Sequence, residues 1–245
     1  MPPTVATPAL SNVLDRSKDF VDRVHGLASG AVPEVKNQKD LATLAKQLSD
    51  PKEDKVVRNE IVNLFFRSNY PELEGVLLKI LENPDEGQDF RAWAVQHIGD
   101  LLTNPGDIPV SPDLAGRVRS LLSDSDLHVR REALLALSSA NDTQMLQELP
   151  AMLKSQAPGS DRMRDLAIRI ARQKDLRDQI PFIRTLIAAT NESVRIAAIV
   201  ALSEWRDQES RPAIESALKE GSMGVKRAAA AALQRLDTPP KKARE

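Results

Sequence analysis

The sequence predicts an all-α chain built from about six stacked helical hairpins. Three observations carry that prediction. One amphipathic helical motif recurs with a period in the thirties, a cap-forming residue stands at a fixed distance before each copy, and a second apolar helix pattern fills each interval.

The motif is clearest from Asp126 to Leu137, DLHVRREALLAL. An apolar residue followed by a basic one anchors it at Val57-Arg58, Phe90-Arg91, Val129-Arg130, Met163-Arg164, Val194-Arg195 and Val225-Lys226, in steps of 33, 39, 34, 31 and 31 residues. Four positions on stand Ile61, Ala94, Ala133, Ala167, Ala198 and Ala229; eight on stand Phe65, Ile98, Leu137, Ala171, Leu202 and Leu233. Offsets 0, 4, 7 and 8 share one face of a 3.6-residue helix. Three residues before each anchor stand Asp54, Gly87, Asp126, Ser160, Asn191 and Ser222. All favour an N-cap, where a small or oxygen-bearing side chain suits the unpaired amides.

A less regular helix precedes each copy, with apolar sets such as Leu73/Val76/Leu77/Ile80 and Leu146/Leu149/Leu153. Pro150, Pro181 and Pro212 recur 31 residues apart, each 13 before its anchor, and are expected near helix starts, where the first amides lack an intrahelical acceptor. The unit is therefore helix, turn, helix. One pair cannot bury its own apolar face, whereas stacked pairs can.

The stretches DSDLHVRREALLALSSA and ATNESVRIAAIVALSEW resemble the HEAT repeat, in the short form of phycobilisome-lyase-type proteins. The resemblance covers residues 38–236 and is strongest in repeats three, five and six. It implies a right-handed α-solenoid whose second helices line the concave side, and a protein that holds a partner. Repeat one departs from the pattern at Ile61, where the family usually has alanine; repeat four departs with Met163 as anchor and Arg169 inside the helix.

Residues 1–9 carry three prolines and no helical period, and are expected to be extended or disordered. Residues 10–28 follow a helical pattern expected to cap the first repeat. Residues 29–37 read as a linker, 38–236 as the solenoid, and 237–245 as a flexible charged tail. The insertion Asn104 to Asp113, NPGDIPVSPD, explains the 39-residue step. Its prolines and glycine forbid helix, and it reads either as a tolerated surface loop or as a projection on the binding side.

Composition bounds the chemistry. Only 8 of 245 residues are aromatic, so the core is mostly leucine, alanine, isoleucine and valine. A net charge of −1 provides no long-range field toward nucleic acid or an anionic membrane. The absence of cysteine excludes disulfides, thiolate metal sites and cysteine nucleophiles, and fits either redox compartment. No apolar run approaches the roughly 20 residues that cross a bilayer. The opening MPPTVATPAL lacks the regions of a signal peptide, but a mature exported chain would look the same, so the compartment stays open.

The basic column Arg58, Arg91, Arg130, Arg164, Arg195 and Lys226 has two readings, phosphate binding or structure. It keeps pace with the core positions, which favours structure. The family resemblance implies a ladder in which each arginine pairs with an aspartate of a neighbouring repeat, and Asp54, Asp126, Asp161 and Asp207 are the available partners. Offsets 2, 6 and 9 point away from the buried stripe and make the expected inner wall. It holds Asn63 and Gln96 at a polar end, Arg131, Arg169 and Arg172 in the middle, and Ile196 and Val200 as an apolar spot, with Phe66, Gly99, Ser138, Arg172, Ser203 and Gln234 at offset 9. The expected partner is an acidic, partly apolar peptide or protein bound by these arginines with Ile196 and Val200.

No catalytic constellation appears. His25, His97 and His128 are scattered, without His-Glu pairs or metal-ligand spacing, which sets aside the metal-dependent hydroxylase that also uses HEAT repeats. No GxGxxG, P-loop or GxSxG occurs. A HEAT-like DNA glycosylase is the sharpest enzyme alternative. It would want a basic groove and aromatics for the lesion, whereas charge here is balanced and Trp93 and Trp205 are far apart in sequence. Bilin lyase activity gives no compact motif and stays open. The expectation is a non-catalytic recognition or scaffold module, monomeric, without cofactor.

Overall fold

The computed structural model describes residues 13–28, 38–157 and 159–238. They are helical with short turns, and no strand occurs among them. The chain forms two compact units, residues 1–142 and 143–245.

The first unit holds α1 (Phe20–Ala28), α2 (Gln38–Leu48), α3 (Lys55–Arg67), α4 (Leu73–Glu82), α5 (Gln88–Thr103), α6 (Leu114–Ser120) and α7 (Leu127–Ser139). The second holds α8 (Thr143–Lys154), α9 (Ser160–Gln173), α10 (Ile180–Thr185), α11 (Glu192–Glu204), α12 (Arg211–Glu220) and α13 (Met223–Asp237). In each unit successive hairpins stack as an α-solenoid. The second helices, α3, α5, α7, α9, α11 and α13, bury the anchor column Val57, Phe90, Val129, Met163, Val194 and Val225.

Most caps are made by the residues that the motif marks. Asp54 accepts from Val56 and Val57, Asp126 from His128 and Val129, Asn191 from Val194, and Ser222 from Val225. Repeat four differs from the expectation. Its cap is Gly159 at φ 77°, and Ser160 is the first helical residue, bonding back to the Ser155 carbonyl at 3.1 Å. The prolines also split. Pro181 and Pro212 stand in the first turns of α10 and α12, but Pro150 lies inside α8, because that helix already begins at Thr143.

Four second helices end alike. Asn69, Asn141, Asp175 and Arg206, each 12 residues past its anchor, take positive φ between 51° and 57°. The next amide reaches back to close the helix, as Tyr70 N–H does to the Phe65 carbonyl at 2.9 Å and Asp207 N–H to that of Leu202 at 2.9 Å. This is the Schellman stop, which satisfies the last carbonyls and turns the chain sharply. Repeat two lacks it, since α5 runs on to Thr103. The insertion that follows folds back and does not project freely. Ile108 is buried, Ser111 donates to Glu74 through N–H at 2.7 Å and Oγ at 2.5 Å, and Asn69 donates to Asp107 at 3.3 Å.

The expected N-terminal helix is interrupted: Val13 and Leu14 are helical, and a turn follows them. α1 begins at Phe20, after a turn in which Asp15 accepts from Ser17, and residues 10–12 lie outside the described residues. Asp19 caps it by accepting from Val21 at 2.7 Å, and Arg23 follows four residues later, the cap-to-arginine spacing of the motif. α1 packs on α3 as a reduced further repeat. The expected extended segment 1–9, the linker 29–37 and most of the tail lie outside the described residues.

Candidate functional site

The arginine column divides. Arg23, Arg58 and Arg91 each fork onto a carboxylate in the next repeat, Glu53, Glu86 and Asp124, and each sends Nε–H to the carbonyl ten residues back, Val13, Leu48 or Leu81. The two-bond geometry matches the planar guanidinium to the carboxylate. The partners are therefore not the aspartates that the resemblance pointed to. Asp54 and Asp126 cap helices, Asp161 pairs with Arg164 of its own helix, and Asp207 pairs with Arg184. Arg130 and Arg195 end on backbone carbonyls, of Asp124 and Ile187 respectively, and Lys226 is half-buried. The sequence positions that hold Glu53 and Glu86 in repeats one and two carry Gly159, Thr190 and Gly221 later; the position of Asp124 keeps an acid in repeat six, Glu220, yet Arg195 bonds the Ile187 carbonyl.

A second set of pairs clasps hairpins internally. Arg119 reaches Asp142 at 2.5 Å, Arg184 holds Asp207 with Nε at 2.7 Å, and Arg211 pairs with Asp237. Asp207, and Glu209 beside it, push the Arg184 guanidinium above its ordinary value. All these arginines are committed to structure.

The expected wall is partly exposed. Gln96, Arg131 and Arg169 are exposed, whereas Asn63, Arg172, Ile196 and Val200 are half-buried. Offset 9 is mixed: Phe66 and Arg172 are half-buried and Gln234 is exposed, whereas Gly99, Ser138 and Ser203 are buried, a correction to the expected wall. Gly99 shows why, since a methyl group there would stand 2.9 Å from Ala136 Cβ, so α5 and α7 touch backbone to backbone. Asn63, Gln96 and Arg131 fall in the first unit; Arg169, Arg172, Ile196 and Val200 share α9 and α11 in the second. The arginines come with carboxylates. Arg131 pairs with Glu132, Arg169 with Asp165 at 2.7 and 3.2 Å, and Arg172 with Glu204 at 3.5 Å, which Arg235 also approaches at 3.3 Å. Ile196 Cδ1 packs against the backbone of Gly224 on α13.

A further cluster lies between α3 and α5; the expected wall included its Asn63 and Phe66 but not Trp93 or His97. Trp93 donates Nε1–H to Asn59 at 3.1 Å, and its ring lies 4.2 Å from that of Phe90 and 4.3 Å from that of His97. His97 in turn meets Phe66 at 5.9 Å. Phe66 belongs to α3 and the other three rings to α5. Between the two helices is an open hollow of about 380 Å³ lined by Asn63, Phe66, Arg67, His97, Asp100 and Thr103, with Asn104 at its edge. His97 Nδ1 stands 3.2 Å from Asp100 Oδ2. Burial lowers the imidazole pKa, against the opposing pull of Asp100. One signal was available: His97 stands at offset 7, where the other repeats carry Leu64, Ala136, Ile170, Ala201 and Ala232.

Among the described residues, no group of three or more histidine, aspartate or glutamate side chains is placed to hold a metal ion, and no helix is long and apolar enough to cross a membrane. A family model of HEAT repeats matches residues 74–172 and 180–244. The chain belongs to the HEAT-repeat family. No curated protein matches its sequence. Among solved structures, the Escherichia coli protein YibA aligns at 17% identity over 94% of this chain and 92% of its own, with a TM-score of 0.57, and shares the fold. A designed armadillo repeat protein in complex with the peptide (KR)4 aligns at 15% identity, covering 93% and 98%, with a TM-score of 0.48. Human deoxyhypusine hydroxylase in complex with glycerol aligns at 17% identity, covering 93% and 94%, with a TM-score of 0.42.

Proposed function

We propose that this HEAT-repeat chain is a non-catalytic recognition or scaffold module that binds a protein or peptide on the face of its second helices, the concave side in a solenoid of this family. The observation that carries the reading is the mixed character of that face. In the first unit it exposes Gln96 and Arg131 and half-exposes Asn63 and Phe66, while the ladder arginines beneath are spent on structure; in the second it exposes Arg169 and half-exposes Arg172, Ile196 and Val200. Polar rims around apolar and aromatic anchors suit protein partners. The pairing of Arg169 with Asp165 and of Arg172 with Glu204 means that an acidic partner must displace an internal carboxylate. Trp93 is held by Asn59 and stacked on Phe90, which argues against a base-stacking role in a DNA glycosylase-type reading.

The test is affinity capture with two variants of equal helicity. One carries Arg131→Glu, Arg169→Glu and Arg172→Glu; the other carries Lys79→Glu, Lys154→Glu and Lys219→Glu on first helices. A partner lost by the first variant and kept by the second supports the reading. A partner kept by both, or lost equally from both, sinks it.

A further inference from the structure

The hollow between α3 and α5 has an uneven hydrogen-bonding inventory. Thr103 spends its one hydroxyl proton on the Gly99 carbonyl at 2.9 Å, so toward a ligand it only accepts. Asn63 spends one N–H of its NH₂ on Glu60 at 3.2 Å and keeps a carbonyl oxygen and a second N–H. Asp100 is a carboxylate, 60% exposed, and also only accepts. Beside these acceptors stands the Phe66 ring, with His97 behind it. The opening thus presents the oxygens of Asn63, Asp100 and Thr103, one carboxylate charge and an aromatic face, alongside the donors of Asn63, Asn104 and Arg67.

That combination suits a flat, donor-rich cation. A guanidinium offers five N–H donors in a plane and stacks on aromatic rings, whereas an ammonium is a compact, strongly hydrated point charge. The same unit already builds this chemistry internally, where the Arg58 guanidinium lies 3.5 Å from the centre of the Phe90 ring and forks onto Glu86. Phe90, Trp93, His97 and Phe66 then run in sequence to the hollow, so its aromatic wall is rigidly backed. Arg67, a lining residue as well, supplies a like charge that an incoming cation must meet.

We propose that this hollow is the binding site for an arginine side chain presented by a partner peptide. The inference rests on the reading of the second-helix face as a recognition surface, and names the chemistry of one of its contacts.

The probe is the capped peptide Gly-Gly-Arg-Gly-Gly, with citrulline and lysine versions as controls, titrated into the full-length protein and followed by NMR at the Trp93 indole and His97 ring. Citrulline keeps the shape and loses the charge. The expected result is saturable shifts at both residues for the arginine peptide, none for citrulline, and weaker binding for lysine. Asp100→Asn and Phe66→Ala are each expected to raise Kd by about fivefold or more, and Arg67→Ala to lower it by about twofold. Citrulline or lysine binding as tightly as arginine, or an Asp100→Asn Kd equal to wild type, overturns the proposal. If the peptides fail while a captured partner still depends on Arg131, Arg169 and Arg172, the pocket is wrong and the recognition surface stands. If no captured partner depends on those three, the broader reading falls whatever the peptides do.

Discussion

Arg58 and Glu86 are joined by two hydrogen bonds, at 3.1 and 2.5 Å, with their side chains only 1% and 3% exposed. The pair ties the first repeat to the second. The guanidinium also donates to the Leu48 carbonyl at 2.7 Å, and Gly87 N–H donates to the Glu86 carboxylate at 3.2 Å. Such pairs add little net stability over well-packed apolar residues, yet breaking one strands a buried charge. Glu86→Ala is therefore expected to lower the unfolding free energy of the first unit by about 3–5 kcal/mol, and Arg58→Met with Glu86→Leu to recover most of that loss. Urea unfolding of the three proteins, followed by circular dichroism, checks the pattern. A double variant no more stable than Glu86→Ala contradicts it.

The contact of α5 with α7 depends on a missing side chain. A Cβ on Gly99 would lie 2.9 Å from Ala136 Cβ and 3.3 Å from its Cα. Alanine ordinarily gains about 1 kcal/mol over glycine inside a helix. Here overpacking costs about 1–3 kcal/mol, so Gly99→Ala is expected to be neutral to destabilising and Gly99→Val clearly destabilising. Adding Ala136→Gly to Gly99→Ala removes the clash and is expected to restore the thermal midpoint. An unaltered midpoint for Gly99→Val would mean that the helices are not in contact there.

These two relationships differ in how far the sequence announces them. The anchors and most caps were readable because they are local: a cap side chain bonds to amides two or three residues on, as Asp126 does with His128 and Val129. The ladder acids were not, because Glu53, Glu86 and Asp124 meet arginines 28 to 33 residues away, and a carboxylate carries no mark of its partner. Asn69 and Asn141 hinted at their positive φ, since asparagine tolerates it better than most residues; Arg206 gave no hint. Arg169 and Arg172 were legible as basic residues on α9, but not as partners of Asp165 and Glu204. The hollow beside His97 was hidden by the averaging that revealed the repeat. A pattern built from six copies makes one polar residue in an apolar column look like noise.

Glu53 makes the first unit sensitive to acid. Burial alone would raise its pKa, but hydrogen bonds from Arg23, Gln47 and the Asp54 amide, with the charge of Arg23, outweigh it and hold the carboxyl at about 2, against an ordinary 4.5. The folded value is the lower one, so the unfolded chain takes up the proton first. Glu53 contributes fully above about pH 5 and loses its contribution as pH falls from there toward 2. The contribution is on the order of 3 kcal/mol. Glu53→Gln is expected to be less stable at pH 7 and to show a flatter stability profile between pH 5 and pH 2. Equal slopes for the two proteins would show that the carboxyl is not held down.

The turn after α11 offers the opposite sign. Arg206 sits at φ 57°, where a β-carbon crowds the backbone and glycine does not. Its compensation is Nη1 donating to the carbonyls of Arg235, at 3.2 Å, and Thr238, both contacts exposed to water. Exposed bonds of this kind contribute little, while relief of the left-handed strain is worth about 1–2 kcal/mol before the entropy that glycine adds to the unfolded chain. Arg206→Gly is therefore expected to stabilise the second unit by about 0.5–1 kcal/mol, raising its thermal midpoint by about 2–4 °C. Asn141→Ala, at φ 56° in the matching turn of the first unit, is expected to lower stability, because alanine inherits the strain and lacks the local bonding of asparagine. Calorimetry of both variants reads the two signs together. A lower midpoint for Arg206→Gly would mean that the guanidinium bonds to the end of α13, and not the geometry of the turn, hold the last hairpin in place.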